Sequence, residues 1–447
     1  MTENTVAPIE QWRLNRAVAK RALIWLICLA PLFYATYGTA NWLASQRENV
    51  PNITFTWEQA IPFIAWTIFP YWSINLFYGL SLFFNDTTAE VDRLAKRYLT
   101  AQTIAVTCFI AFPLTVIFHK PPTSGASGFL FDMLGGFDKP FNQAPSLHIA
   151  LLAIIWTHWR VRLSGIVLWI WHLWCALIGI SVLTTYQHHF IDIPTGLLLG
   201  LFALWLFPAH MPSPVAAFRL TDDPKARRIG AYYAMASLIF LLATIIGTPT
   251  SAAFLFFLWP ALALLLVSIG YFGAGPAVFQ KCTDGTLSLA STWLLAPCRL
   301  GAIVNSRIWT RQLPPSVAIG KNVHLGRLPR VSELSKFMTV IDLTAELAKP
   351  SGVEIAWLSF PALDLVSPQH DELRNAADAI ELARRKGPVL VCCALGFQRS
   401  AAAIAVWLLQ YGDVKTAAEA IEKIEAGGRR IHLTEGMLLF AQETKQR

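Results

Sequence analysis

The sequence is short of charge: only 14% of its 447 residues are Asp, Glu, Lys or Arg, where a soluble protein has about 25%. With 55% hydrophobic residues and a mean hydropathy of +0.47, that deficit excludes a disordered chain and a simple soluble globule. Cysteine is also scarce. The seven present form no CxxC pair and no Cys/His spacing suited to zinc. Cys28, Cys108 and Cys175 lie in apolar stretches and read as small hydrophobes. A basic stripe interleaved with aromatics is missing too. The net charge of +8 sits at the ends of apolar runs, which argues against a nucleic-acid partner. No long repeat or low-complexity tract occurs.

What the chain has instead is long apolar runs. A helix needs about 20 apolar residues to cross the hydrocarbon core. Charge-free runs near that length occupy 22–44, 60–84, 98–118, 163–185, 229–249 and 251–275. Two more, at 146–159 and 190–207, open on polar residues. The expected fold is a polytopic α-helical membrane domain of about eight spans over 1–275. The run at 22–44 is too long for the apolar core of a signal peptide.

Lys and Arg are unevenly divided between the loops. Arg13, Arg16, Lys20, Arg21, Arg93, Lys96, Arg97, Arg160, Arg162, Arg219, Lys225, Arg227 and Arg228 fall on one side, against Arg47, Lys120 and Lys139 on the other. This bias predicts that both termini are cytoplasmic, in a protein integral to a bacterial inner membrane.

After residue 275 charges return. The region 276–314 is expected to be a linker with an interfacial helix at 287–300, and 315–447 a cytoplasmic α/β domain. Strands are predicted at 339–343, 353–360 and 388–392, and helices at 369–385, 400–410 and 416–426. The last helix opens on a capping box, Thr416 with Glu419.

The run PVLVCCALGFQRSAAAIAVWLL from Pro388 carries the most specific chemistry. A β-rich stretch ends near Cys392, a loop with Gly396 follows, and an Ala-rich helix begins at Ser400. Loop amides at a helix N-terminus bind anions, and they bias a thiol placed there toward thiolate. Five residues separate Cys393 from Arg399, so a tight loop can set sulfur below a phosphorus atom while the guanidinium takes two phosphate oxygens. That is nucleophilic catalysis on a phosphomonoester.

This run resembles the signature loop of the cysteine-dependent dual-specificity phosphatases. VHLGRLP from Val323, TVIDLTAE from Thr339 and FPALDLVSP from Phe360 follow the family's order, and the resemblance covers about 315–445. It implies the family's α/β fold, Cys393 as nucleophile, Arg399 and Gly396 as phosphate ligands, and Ser400 as the hydroxyl that helps the thiolate leave. It also implies Asp364 as the acid that protonates the leaving oxygen, with Asp371 a nearby competitor. One departure is Cys392, where the family usually has His. The loop has no Lys or Arg between Cys393 and Arg399, so nothing in it favours a polyphosphorylated inositol headgroup.

In the membrane half, FNQAPSLHIALL places Ser146 and His148 at the start of one run, and TTYQHHFIDIPTGLLLG places His188, His189 and Asp192 at the start of another. Ionisable groups inside spans default to functional hypotheses. His188 and Asp192 are four apart, hence on one helical face if the helix includes both. A carboxylate beside imidazole fixes its tautomer. The second histidine leaves the pairing open by one residue, while His158, His172 and His210 have no partners in sequence.

These motifs are similar to those of the type 2 phosphatidic acid phosphatase superfamily, particularly its inositol phosphorylceramide synthase-like branch, over about 60–208. The resemblance implies that His188 attacks phosphorus, Asp192 orients it, His148 protonates the leaving group and Ser146 contacts phosphate. Lys120, in HKPP, stands where the family has a basic pair ending in Arg-Pro.

The sequence therefore points to a bifunctional membrane phosphatase: a cysteine site acting on phosphomonoesters in the cytoplasm, and a histidine-based lipid phosphatase or headgroup phosphotransferase at the outer face. The alternative is a membrane-tethered phosphoprotein (Tyr/Ser/Thr) phosphatase whose membrane domain is a sensor or anchor. Expected partners are membrane lipids and a phospholipid or phosphoprotein substrate. Neither chemistry calls for a cofactor or metal.

Overall fold

The computed structural model describes residues 15–433. Arg13 and both chain ends, whose side of the membrane the charge bias predicts, lie outside the described residues. Contacts within the chain divide it into two units. One runs up to His210 and includes Phe240–Trp259; the other comprises Met211–Ile239 and the chain from Pro260 onward.

The first unit is helical: α1 (Arg16–Ser45), α2 (Ile68–Phe83), α3 (Thr88–Ala111), α4 (Gly125–Gly135), α5 (Leu147–Arg160), α6 (Gly165–Thr184) and α7 (Asp192–Leu206). Each apolar run holds a helix, but boundaries move where polar chemistry intervenes. The run expected at 98–118 begins as helix at Thr88, because Thr87 caps it by accepting the Glu90 N–H at 3.2 Å. Of the charges in the first half of α3, Arg97 is buried and donates to the Phe207 carbonyl at 2.9 Å.

Among the described residues, four segments are helical, long and apolar enough to cross a membrane: Arg16–Ser45, Gly165–Thr184, Pro224–Gly247 and Ala252–Phe279. Eight spans are not shown. At 14 and 15 residues, α5 and α7 fall short of the length a crossing needs.

The contact that matters for the first unit's chemistry joins α5 to α7. A Cβ on Gly196 would lie 2.5 Å from the Ser146 carbonyl oxygen, and one on Gly200 would lie 2.7 Å from that of Ala150. Only glycine lets the two backbones approach so closely, the small-xxx-small logic of helix pairs in lipid. The Ser146 N–H also donates to the Asp192 carbonyl at 3.3 Å. The starts of the two helices, which carry the sequence motifs, are thereby brought together.

The second unit contains the first part of α8 (Pro224–Gly247), α9 (Leu258–Ile269) from Pro260 onward, α10 (Leu289–Leu294) and α11 (Ala296–Trp309). A five-stranded sheet follows, with β1 (Ser316–Gly320), β2 (Val323–Arg327), β3 (Thr339–Thr344), β4 (Ala356–Ala362) and β5 (Val389–Cys393) in the order β1-β2-β5-β3-β4. β1 and β2 are antiparallel, and the other pairings are parallel. The helices α12 (His370–Arg384), α13 (Arg399–Tyr411) and α14 (Ala417–Ala426) complete it.

The central strand β5 is buried along its length. Val389, Val391 and Cys393 join the core with α12 and α13, while Leu390 and Cys392 join a second cluster around Leu334, Val340 and Trp357. The two neighbouring cysteines thus point to opposite faces, as strand alternation requires. Cys392 therefore lies in the apolar cluster on the far side of the sheet from the nucleophile. Burial pushes its thiol well above the ordinary range.

The segment 276–314 is not a free linker. Lys281 is buried and donates to the Asp342 carboxylate in β3, to the Thr344 carbonyl and to the Thr344 hydroxyl, the last two at 2.8 Å. The Ser359 N–H in β4 donates to the Thr283 carbonyl at 2.9 Å. A buried ammonium needs a carboxylate partner, and this one finds it inside the sheet. The helix expected at 287–300 appears as α10 and α11, whose apolar side chains Trp293, Leu300, Val304, Ile308 and Trp309 are exposed.

Candidate active sites

In an α/β sheet, ligands collect beyond the carboxyl ends of the parallel strands. Here β5 ends on Cys393, Glu346 follows β3, Asp364 follows β4, and Arg399 opens α13. Buried Cys393 Sγ accepts the Gly396 N–H at 3.2 Å and the Ser400 hydroxyl at 3.2 Å. Gly396 has a φ of 78°, and a Cβ there would lie 2.7 Å from the Gly326 carbonyl oxygen. No larger residue fits that corner.

The loop's carbonyls are drawn outward by donors from elsewhere. Ser306 of α11 donates to the Ala394 carbonyl, Arg429 to the Leu395 carbonyl at 3.5 Å, and the His432 N–H to the Phe397 carbonyl at 2.9 Å. With its carbonyls turned away, the loop can present amides to an anion.

Arg399 is fully buried. Its terminal nitrogens donate to both Glu346 oxygens at 2.8 and 2.7 Å and to the Ala362 carbonyl at 2.9 Å. Asp364 Oδ1 lies 3.2 Å from the same guanidinium. The Arg399 Nε atom has no partner among the described residues, which leaves a donor for an incoming oxygen. Burial alone would raise the Glu346 carboxyl, but the charge and bonds of Arg399 outweigh it and hold Glu346 below the usual carboxylate value. Asp371, in the exposed first turn of α12, approaches Arg374 at 4.0 Å and does not join this group.

The cysteine loop and its helix are contiguous in sequence and readable from it. Glu346, Ser306 and Arg429 were missed because they arrive from other elements. The only local hint for Glu346 was its place just after a predicted strand.

In the first unit, His188 Nδ1 lies 3.1 Å from Asp192 Oδ2 and its Nε2 3.3 Å from the Ser146 hydroxyl. A carboxylate only accepts, so Nδ1 is the donor in this pair and Nε2 faces the Ser146 hydroxyl. The doublet is resolved by partners. His189 turns to Glu58, at 3.5 Å, and to the Thr54 hydroxyl, at 3.2 Å, so His188 is the histidine that meets Asp192 and Ser146. His148 stacks on the Tyr71 ring at 4.2 Å, and its Nε2 has no partner among the described residues.

His148 and His188 line one cavity of about 200 Å³ with Tyr37, Tyr71, Asp138 and Asn142. Sequence reasoning did not anticipate Asp138, which lies in the loop before α5. It accepts the Tyr37 hydroxyl at 2.8 Å, and burial pushes its carboxyl up to about 6. Lys120 is not brought to this cavity. Its exposed ammonium lies 4.5 Å over the Phe131 ring, a cation–π contact that turns it elsewhere. His158 and His172 bond to the Phe84 carbonyl and the Trp156 indole, at 3.1 and 3.0 Å.

No protein-family model matches the sequence, and no curated protein matches it. Solved structures do. Human DUSP28 is 20% identical with a TM-score of 0.27, over 30% of this chain and 94% of that one. PTPMT1 in complex with PI(5)P is 22% identical with a TM-score of 0.27, over 30% and 96%. Human tyrosine phosphatase-like serine/threonine/tyrosine-interacting protein is 19% identical with a TM-score of 0.27, over 29% and 95%. The structural neighbours are thus dual-specificity and PTPMT1-type phosphatases, over about 30% of this chain.

Proposed function

We propose that the chain hydrolyses phosphomonoesters at the Cys393 loop through a cysteinyl-phosphate. The observation that carries this reading is the convergence of Cys393, Arg399, Asp364 and Ser400 at the carboxyl ends of the parallel strands, with Cys393 Sγ 3.2 Å from both the Gly396 amide and the Ser400 hydroxyl. The thiolate attacks phosphorus and the ester P–O bond breaks. Asp364, as the acid, gives its proton to the departing oxygen, since an alkoxide leaves poorly without one. Arg399 and the loop amides hold the phosphoryl oxygens. Water then attacks the S–P bond with Asp364 taking its proton, and the Ser400 hydroxyl bonds to the released sulfur.

The arrangement of His188, Asp192, Ser146 and His148 around one cavity favours a second activity, lipid phosphate hydrolysis or headgroup transfer through a phosphohistidine. His188 Nε2 is its nucleophile, and His148 protonates the leaving group. Four apolar helices support a membrane location, and the Lys/Arg bias supports cytoplasmic termini. The substrate of the cysteine site is a phospholipid or a phosphoprotein.

The test is phosphate release by the detergent-solubilised full chain from an aryl phosphate, a phosphatidyl monoester and a phosphopeptide. Cys393→Ser should abolish turnover of the aryl phosphate, and His188→Ala should lower lipid turnover alone. If neither substitution reduces turnover of any of the three, the two-enzyme reading is wrong.

A further inference from the structure

The acid's loop is tied to a residue outside the sheet. Tyr271 lies in the helical turn Gly270–Ala274, inside the apolar segment Ala252–Phe279. Its hydroxyl donates to the Asp364 main-chain carbonyl at 3.0 Å. The ring is buried and stacks on Tyr233 of α8, with centroids 5.5 Å apart and planes 12° from parallel. The next residue of the loop, Leu365, has a φ of 62° and an exposed side chain. A leucine keeps a left-handed backbone only where its surroundings impose it, and Leu365 packs too little to do so itself. The Asp364 carbonyl belongs to the peptide group that joins the two residues. Fixing that oxygen fixes the plane on which both the Leu365 conformation and the direction of the Asp364 side chain depend.

We propose that Tyr271 is a positioning residue for the acid: its hydroxyl holds the Asp364–Leu365 peptide so that the Asp364 carboxyl faces the space over Cys393. The inference rests on the reading of Cys393 as nucleophile and Asp364 as acid. It adds that an apolar, membrane-type segment sets the competence of the acid loop. Tyr271 touches no reacting atom, so its effect should follow the need for a proton. An alkyl phosphate depends on the acid, whereas an aryl phosphate with an acidic leaving group hardly does.

The experiment compares Tyr271→Phe with the parent chain, in detergent, on an alkyl phosphate and a nitrophenyl phosphate. One lost hydrogen bond predicts a fall in kcat of roughly three- to tenfold on the alkyl ester, with the nitrophenyl ester changed less than twofold. The alkaline limb of the alkyl pH profile should flatten. In an Asp364→Asn background, adding Tyr271→Phe should change nothing further on the alkyl ester. An equal fall on both esters, no fall on either, or a further fall in the Asp364→Asn background would overturn the inference. Full activity in Cys393→Ser would overturn the cysteine reading and this inference with it, a result distinct from the other three.

Discussion

Replacing Glu346 by Gln probes the ion pair on which the cysteine site depends. Arg399 has no exposure and gives both terminal nitrogens to Glu346 at 2.8 and 2.7 Å. Gln offers one oxygen and one N–H where two oxygens stood, so one of those bonds becomes a donor facing a donor. A hydrogen bond to a charged group contributes about 1.5–3 kcal/mol. Removing one partner of a buried pair costs about 3–5 kcal/mol, because the other charge stays buried. The Ala362 carbonyl at 2.9 Å and Asp364 at 3.2 Å still hold the guanidinium, which places the expected loss at the lower end, about 3 kcal/mol. Function should suffer separately: with Glu346 neutral, Asp364, already 3.2 Å from the guanidinium, becomes the one carboxylate partner of Arg399 among these groups and is held more firmly to it at the expense of proton transfer.

Amide hydrogen exchange over β5 and α13 of the solubilised full chain reads the stability change, which corresponds to roughly a hundredfold faster exchange. The acid sensitivity should change as well. Because Arg399 holds Glu346 below its unfolded value, the pair's contribution is complete above about pH 4.3 and is lost as pH falls through the folded value. That component should be absent from Glu346→Gln. Exchange within threefold of the parent, together with unchanged kcat/KM, would refute the reasoning.

Two further predictions follow from other contacts. Gly200→Ala should cost the histidine site at least tenfold in turnover, although Ala is the better helix former by about 1 kcal/mol, because its Cβ would sit 2.7 Å from the Ala150 carbonyl oxygen and separate α5 from α7. His188-dependent release from a phosphatidyl monoester measures this, and full activity would show that the close approach is dispensable. Ser400→Ala should slow breakdown of the cysteinyl-phosphate roughly tenfold while sparing its formation, since only the Ser400 hydroxyl bond to sulfur is removed. Rapid quenching should reveal a product burst and trapped phosphoenzyme; loss of the burst itself would count against this role.

What could be read from sequence was what lies close along the chain. The β5 strand, its loop and α13 form one continuous run, and His188 lies only four residues before Asp192, so both motifs could be recognised; the shared helical face expected for the pair is not formed, because α7 begins at Asp192 and His188 reaches the carboxylate from the loop before it. The apolar runs announced helices but not their ends, because α3 is capped by Thr87 and carries its charges into contacts that hydropathy does not register. The helix α4 and the pair β1 and β2 were too short or too mixed in pattern to stand out. Glu346 and Asp138 are single carboxylates whose partners lie far away in sequence. Lys281 falls in the region expected to be a linker, and only the fold shows it buried beside Asp342. Lys120 was suggested by motif order, and the fold turned it onto Phe131 instead.

The burial of Lys281 and Ser306 bears on where the chain can be cut. A fragment beginning at 315 would keep every residue of the sequence-defined phosphatase region, yet it would leave the buried Asp342 carboxylate without its ammonium and the Ala394 carbonyl without the α11 hydroxyl. Such a fragment loses part of its own phosphate loop's support. A cloning boundary upstream of Lys281 retains both contacts, but it also retains the exposed apolar side chains of α11. Intact architecture at the cysteine site and easy solubility in water therefore ask for different ends of the same segment.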